Sequence, residues 1–297
     1  MDSSQSPTES TFTAMSPVVI TGCPRSGTLM MGRILGSLSD EFFLITEHHN
    51  KQADIPEDQS GIEDHRLWWK HFEYEAWDTE NQRPRIDVPQ QDPESINSIR
   101  DHYLRLANGR RIVIKNPSHI LYPELIRRIF PDAQFVFCVR NPWPTFQSMI
   151  KRGRDSFLLR SPRIETDGAS LLLKAAIGWH DAISSFFQHQ DCGWVIAQYE
   201  RIAEFPRERI SELCERLHIQ KGDGFERAVA IPQPSPNNNF YFIKQAYERS
   251  AEKPRIQQEL LAGCEHFGYP LTPEDLPGNI VDSFIKKAAN KVRRLAG

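Results

Sequence analysis

The chain has 297 residues, 39% hydrophobic, 10% aromatic and 25% charged, with a net charge of −3. This is globular composition with room for one large domain or two small ones, and a charge so near zero excludes a global field that attracts nucleic acid or an anionic membrane. No apolar run reaches the roughly 18 residues a spanning helix needs, so no transmembrane segment is expected.

Met1 to Ser16 is rich in Ser, Thr and Pro and has neither a basic start nor an apolar stretch, so it reads as a disordered leader. From there, short apolar runs alternate with longer helix-like stretches. The strands expected are Val18–Thr21, Phe42–Thr46, Arg111–Lys115, Gln134–Val139 and Trp194–Tyr199. Each is almost continuously apolar, the pattern of strands covered on both faces, which predicts one α/β domain: a central, mostly parallel five-stranded sheet flanked by helices. Helices are expected at Thr28–Leu38, Ser118–Phe130, Ala169–Gln188, Pro206–Leu217 and Lys253–Phe267, and from Pro142 to about Arg152 with Asn141 as cap. Residues 48–110 form a long insertion between the second and third strands, and no internal repeat is visible. The five cysteines are odd in number, scattered and never spaced CxxC, which points to reduced thiols in a cytoplasmic protein rather than disulfides or structural zinc.

Ligands of open α/β sheets sit beyond the carboxyl ends of the strands. A polar group follows each strand here: Gly22-Cys-Pro-Arg-Ser-Gly-Thr28, Glu47-His48-His49-Asn50, Lys115, Arg140 and Tyr199-Glu200. The first is a strand, a Gly-bounded loop and a helix, the shape that cradles phosphates. Its chemistry departs from a phosphotransferase loop, because Thr28 stands where the lysine belongs and Leu29 where the magnesium-binding hydroxyl belongs. Phosphoryl transfer needs a metal to neutralise its oxygens. A sulfuryl group is less charged, so the Arg25 cation and backbone donors suffice without one. Adjacent His48 and His49 have no distant partner at ligand spacing, and no metal site is expected.

These residues carry a family resemblance. Pro24-Arg25-Ser26-Gly27-Thr28 resembles the 5′-phosphosulfate loop of sulfotransferases that use 3′-phosphoadenosine 5′-phosphosulfate (PAPS). Arg140-Asn-Pro-Trp-Pro-Thr-Phe-Gln-Ser148, preceded by Phe130-Pro131-Asp132-Ala133, resembles their 3′-phosphate motif. Ile112–Pro117 resembles their Lys-x-Pro segment, and Tyr199-Glu200 and the Cys264–Tyr269 ending are also similar. The resemblance spans about residues 17–270 and implies the P-loop-like sulfotransferase fold, PAPS as donor and 3′-phosphoadenosine 5′-phosphate (PAP) as product. It further implies that Pro24, Arg25, Ser26, Gly27, Thr28 and Leu29 hold the 5′-phosphosulfate. Arg140 and Ser148 would hold the 3′-phosphate, Tyr199 would help to position the adenosine, and Lys115 would stabilise the leaving phosphate.

The acceptor needs a general base. Phenol- and steroid-type members place a histidine two residues after the lysine, and Pro117 stands there instead. The tyrosylprotein and several bacterial members use a glutamate just after the second strand, and Glu47 fits that position, with His48 as the second candidate. His119 and Glu200 read as structural. Leu29 replaces the family's usual second threonine and Met30 an aromatic residue, and the Arg-Lys-Gly element that closes over the 3′-phosphate is missing. The basic run Lys151, Arg152, Arg154, Arg160 and Arg163 either substitutes for it or is a solvated face.

The segment Glu57–Glu80 holds Trp68, Trp69, Phe72, Tyr74 and Trp77 with eight acidic and two basic residues. It reads as a lid packed on the core or as the wall of an acceptor pocket, in the latter case for a neutral or cationic small molecule or sugar rather than a polyanion. Ile280–Leu295 has one apolar face beside Lys286, Lys287, Lys291, Arg293 and Arg294. This amphipathic helix packs on its own domain, or serves a homodimer or a peripheral membrane contact. Two other readings of the whole are a divergent kinase and an inactive nucleotide-binding scaffold.

Overall fold

The computed structural model describes residues 16–47, 60–63, 77–78, 83–84, 93–150, 163, 168–232, 240–274 and 276. Its centre is a sheet of six parallel strands: β1 (Val18–Gly22), β2 (Phe42–Thr46), β3 (Ser60–Ile62), β6 (Arg111–Lys115), β7 (Gln134–Val139) and β8 (Val195–Gln198). They lie in the order β3-β2-β6-β1-β7-β8. The short antiparallel pair β4 (Trp77–Asp78) and β5 (Arg83–Pro84) stands apart from it.

The sheet has one strand more than the five expected. Ser60-Gly61-Ile62 carries no apolar run, and it pairs with β2 at Leu44, Ile45 and Thr46. Gly61 permits this, since a Cβ there would stand 3.1 Å from the Phe43 ring. Strands β2, β6 and β7 fall where the apolar runs predict them, and all three are buried along their whole length.

The two faces of the sheet are covered differently, as the period of two requires. Val18, Ile20, Leu44, Val113, Val136 and Cys138 face α1 (Thr28–Leu38), α7 (Pro206–Arg216) and α8 (Phe225–Ala230). Val19, Phe43, Ile45, Ile114, Phe135 and Phe137 face the larger cluster. That cluster takes in α2 (Pro93–Ala107), α3 (Pro123–Ile129), α4 (Pro142–Ile150), α5 (Leu171–Gln188), α9 (Tyr241–Glu248) and α10 (Lys253–Phe267). Phe137 stacks on Phe186 at 4.6 Å between centroids. Each such buried ring contributes about 1.5–3 kcal/mol.

Helix boundaries follow local chemistry. Ser170 Oγ accepts from Leu173 N to open α5, and Gly268 closes α10 at φ 70°. Asn141 Oδ1 accepts from Trp143 N, with Pro142 at the first position of α4. The helix expected over Ser118–Phe130 is divided: a 3₁₀ turn spans Pro117–Leu121, and α3 begins afresh at Pro123, whose ring and missing N–H bar a continuous helix. The fifth strand ends at Gln198, and Tyr199 opens α6 (Tyr199–Glu204) instead of closing the strand.

Ser16, assigned to the leader by composition, is buried, with its hydroxyl on Asp132 and its carbonyl accepting from Arg111 Nε. Within the 48–110 insertion, β3 belongs to the main sheet and α2 buries Ile96, Ile99, Tyr103 and Ala107 in the core. The rest of Met1–Ser16, the Trp68–Tyr74 cluster and the Ile280–Leu295 helix lie outside the described residues. No described helix is long and apolar enough to cross a membrane.

Candidate active site

The loop after β1 sets the site. Gly22 has φ 138°, and a Cβ there would stand 2.2 Å from the Cys138 carbonyl, so β1 approaches β7 through glycine. Arg25 lies in the left-handed region at φ 71°, a conformation that costs a non-glycine residue about 1–3 kcal/mol and is kept where surrounding contacts impose it. Here Ser26 N donates to Cys23 O at 3.1 Å, and Arg140 Nη1 points at Arg25 O at 3.5 Å. Gly27, at φ 95°, is the α1 cap, and the helix opens with no side-chain cap and no acid in its first turn. Its first amides are left for an anion. Ser26 and Thr28 are buried, whereas Pro24 and Leu29 are half-exposed at the two ends of the loop.

The two motifs expected to bind phosphates meet. Arg25 Nε donates to Ser148 Oγ at 3.1 Å across 123 positions of sequence. The Arg140 guanidinium lies 4.1 Å from the centroid of the Tyr199 ring, and the same ring packs on Gly27, where a Cβ would stand 2.7 Å from Cδ2. Trp179 Nε1 fixes the Arg140 carbonyl at 3.2 Å. Arg140 Nε is buried with no acceptor among the described residues, a donor that a phosphate oxygen would satisfy. Arg25, Arg140, Ser148 and Tyr199 thus form one cluster around the uncapped start of α1. The Cys23 thiol within the loop is pushed up by burial and stays protonated, so it offers no thiolate.

Beside this cluster, Lys115 Nζ donates to both oxygens of Glu47 at 2.6 Å. Lys115 is buried along its stem, which lies on Gly32 of α1, and the Glu47 side chain is 19% exposed. Charge-assisted bonds this short hold both groups firmly, and the ammonium keeps a third N–H. His48, the other candidate base, lies outside the described residues.

Glu200 is structural: Oε1 accepts from Asn141 N and Oε2 from the Tyr269 hydroxyl, each at 3.0 Å. Arg163 is the described member of the basic run, and it is engaged by two carboxylates. It donates to Asp181 at 2.7 Å and Glu259 at 2.6 Å, joining α5 to α10.

The sequence does not reveal a buried polar cluster on the opposite face of the sheet from Lys115. Glu63, 2% exposed and one residue past β3, accepts from Asn116 Nδ2 at 2.6 Å and from the Tyr103 hydroxyl, and its Oε1 lies 2.7 Å from His119 Nε2. His119 sits in the 3₁₀ turn and pairs with an acid that composition counts only as one of the eight in Glu57–Glu80.

Residues 17–223, more than half of the chain, match a family model described as the sulfotransferase family. Among solved structures, the chain is similar to sulfotransferase STF9 from Mycobacterium avium. The two are 14% identical over 90% of this chain and 79% of that one, with a TM-score of 0.57. It is also similar to the sulfotransferase domain from the curacin biosynthetic pathway, with 14% identity, 88% and 99% coverage and a TM-score of 0.50. At such identities the structural likeness is one of fold. Comparison with curated protein sequences gives no match.

Proposed function

The chain belongs to the sulfotransferase family, and from that membership we propose that it moves the sulfuryl group of PAPS onto a hydroxyl or amine of a small molecule or carbohydrate. The observation that carries the donor assignment is the contact of Arg25 with Ser148, which joins a 5′-type and a 3′-type anion motif in one site. PAP carries phosphates at just those two positions of one nucleoside.

In this reading Arg140 and Ser148 bind the 3′-phosphate, Tyr199 positions the adenosine, and Arg25 with the backbone of Ser26 to Leu29 binds the 5′-phosphosulfate. Glu47 takes the proton of the acceptor as its oxygen or nitrogen attacks sulfur. The bond from sulfur to the bridging phosphate oxygen breaks, and that oxygen keeps the electron pair. Lys115 stabilises the charge gained there with the N–H that Glu47 does not use. These cations supply the charge neutralisation that a metal supplies in phosphoryl transfer, so the reaction is proposed to run without one. A cytoplasmic location fits the five buried, unpaired cysteines.

Thermal shift with PAP, ATP and ATP–Mg tests the donor class. PAP without metal should raise Tm. A rise with ATP–Mg only would overturn the reading in favour of a kinase. PAP binding combined with no sulfuryl transfer to phenols, alcohols, amines or sugars would indicate an inactive nucleotide-binding protein.

A further inference from the structure

Lys115 is the last residue of β6, and the end of a strand is a poor place to fix a long side chain. Three anchors follow at once. Asn116 N donates to Ile20 O at 3.1 Å, and Asn116 Oδ1 accepts from Ser118 N at 2.9 Å. The Thr21 hydroxyl donates to Pro117 O at 2.9 Å. The first and third tie the segment after Lys115 to β1, the strand that feeds the anion loop. The remaining polar end of Asn116, its amide nitrogen, goes to Glu63, as does Nε2 of His119 three residues later.

Glu63 is itself immobilised. Its amide donates to Thr46 O at 2.8 Å, directly before Glu47, and its carboxylate takes the Tyr103 hydroxyl from α2. A buried carboxylate that accepts from an amide, a phenol and an imidazole is costly to place and rigid once satisfied. It stands level with Glu47 in register, one position past the pairing of Thr46 with Ile62. One residue therefore touches the backbone leading into the base and the side chain following the lysine.

We infer that Glu63 is a positioning residue for sulfuryl transfer: through Asn116 and His119 it sets the path of the chain after Lys115, and through Thr46 it sets the start of Glu47. It does not touch donor or acceptor. This inference rests on the role of Lys115 at the leaving oxygen, so the test separates the two.

The test uses the full chain with PAPS, in single turnovers with enzyme in excess, read as PAP released in water, alongside PAP affinity by calorimetry and hydrogen exchange at residues 115–119. Glu63→Gln should lower turnover about 10- to 100-fold with PAP affinity changed less than threefold, and exchange at 115–119 should rise while β7 keeps its protection. Ile210→Val, a small loss in the core on the other face of the sheet, on the helix that packs on the β8 edge, should lower stability with turnover kept. In a Lys115→Ala background, Glu63→Gln should cost less than threefold more, since its effect passes through Lys115. Unchanged turnover and unchanged exchange in Glu63→Gln would overturn the inference, as would a full additional loss in the double variant. If Lys115→Ala itself turns over normally, the assignment of Lys115 fails instead. If Glu63→Gln does not fold, Asn116→Ala carries the same expectations and the same refutations.

Discussion

Two glutamates stand just past the ends of neighbouring parallel strands, and the fold uses them in opposite ways. Glu47, after β2, is partly open and accepts from Lys115 at both oxygens. Glu63, after β3, is closed off and engaged by three donors from two helical segments and a strand end. A carboxylate that must accept a proton from a reagent needs a route to solvent and a neighbour able to act elsewhere. A carboxylate that must hold a backbone needs neither. The environment, not the residue type, separates the two proposed roles.

The sharpest way to break this comparison is at Glu47. Glu47→Gln should cut sulfuryl transfer by about 10²–10⁴-fold, the span of general-base removal, while leaving PAP affinity within a few-fold. If kinetics of the purified variant match the parent, Glu47 is not the base. Lys115→Ala should follow, at about 10²–10³-fold in turnover, because one preorganised donor to the developing charge is lost; PAP binding by calorimetry should again persist. Substitution at the anion cluster has a different signature. Arg140→Ala removes charge-assisted bonds of about 1.5–3 kcal/mol, so PAP should bind about 10- to 150-fold more weakly. Arg140→Lys should recover little, since the lysine lacks the planar fork that reaches two oxygens and stacks on Tyr199. The smallest effect is expected at Arg163→Ala. It leaves the Asp181 and Glu259 carboxylates without their shared cation, so Tm should fall while the PAP dissociation constant stays the same. A loss of PAP affinity there would place the basic run at the phosphate site after all.

The comparison also shows what a sequence can disclose. Strands β2, β6 and β7 were legible to the residue because each is buried on both faces and reads as an uninterrupted apolar run. The helices with chemical punctuation were equally clear: Asn141-Pro142 opens one and Gly268 closes another. Ser60–Ile62 was not, because a three-residue edge strand of Ser, Gly and Ile exists only through its pairing with β2. The division at Pro123 was hidden beneath an apolar pattern that continues across it.

At the site, the residue types and their order along the chain were legible, and their mutual contacts were not. The family resemblance assigns Arg25 and Ser148 to different phosphates, yet the fold puts them in hydrogen-bond contact. Glu63 carried no signal at all, since a buried acid in an acidic segment is revealed only by the donors that the rest of the chain brings to it.

The central claim is that one site reads both phosphates of PAP, with Arg140 reading the one at the 3′ position. Calorimetric titration of the parent and of Arg140→Ala with PAP and with adenosine 5′-monophosphate, which lacks that phosphate, tests it directly. The parent should prefer PAP by more than about tenfold, and Arg140→Ala should lose that preference while binding the monophosphate as the parent does. A parent that binds the two nucleotides equally, or a variant that weakens both alike, would contradict the account.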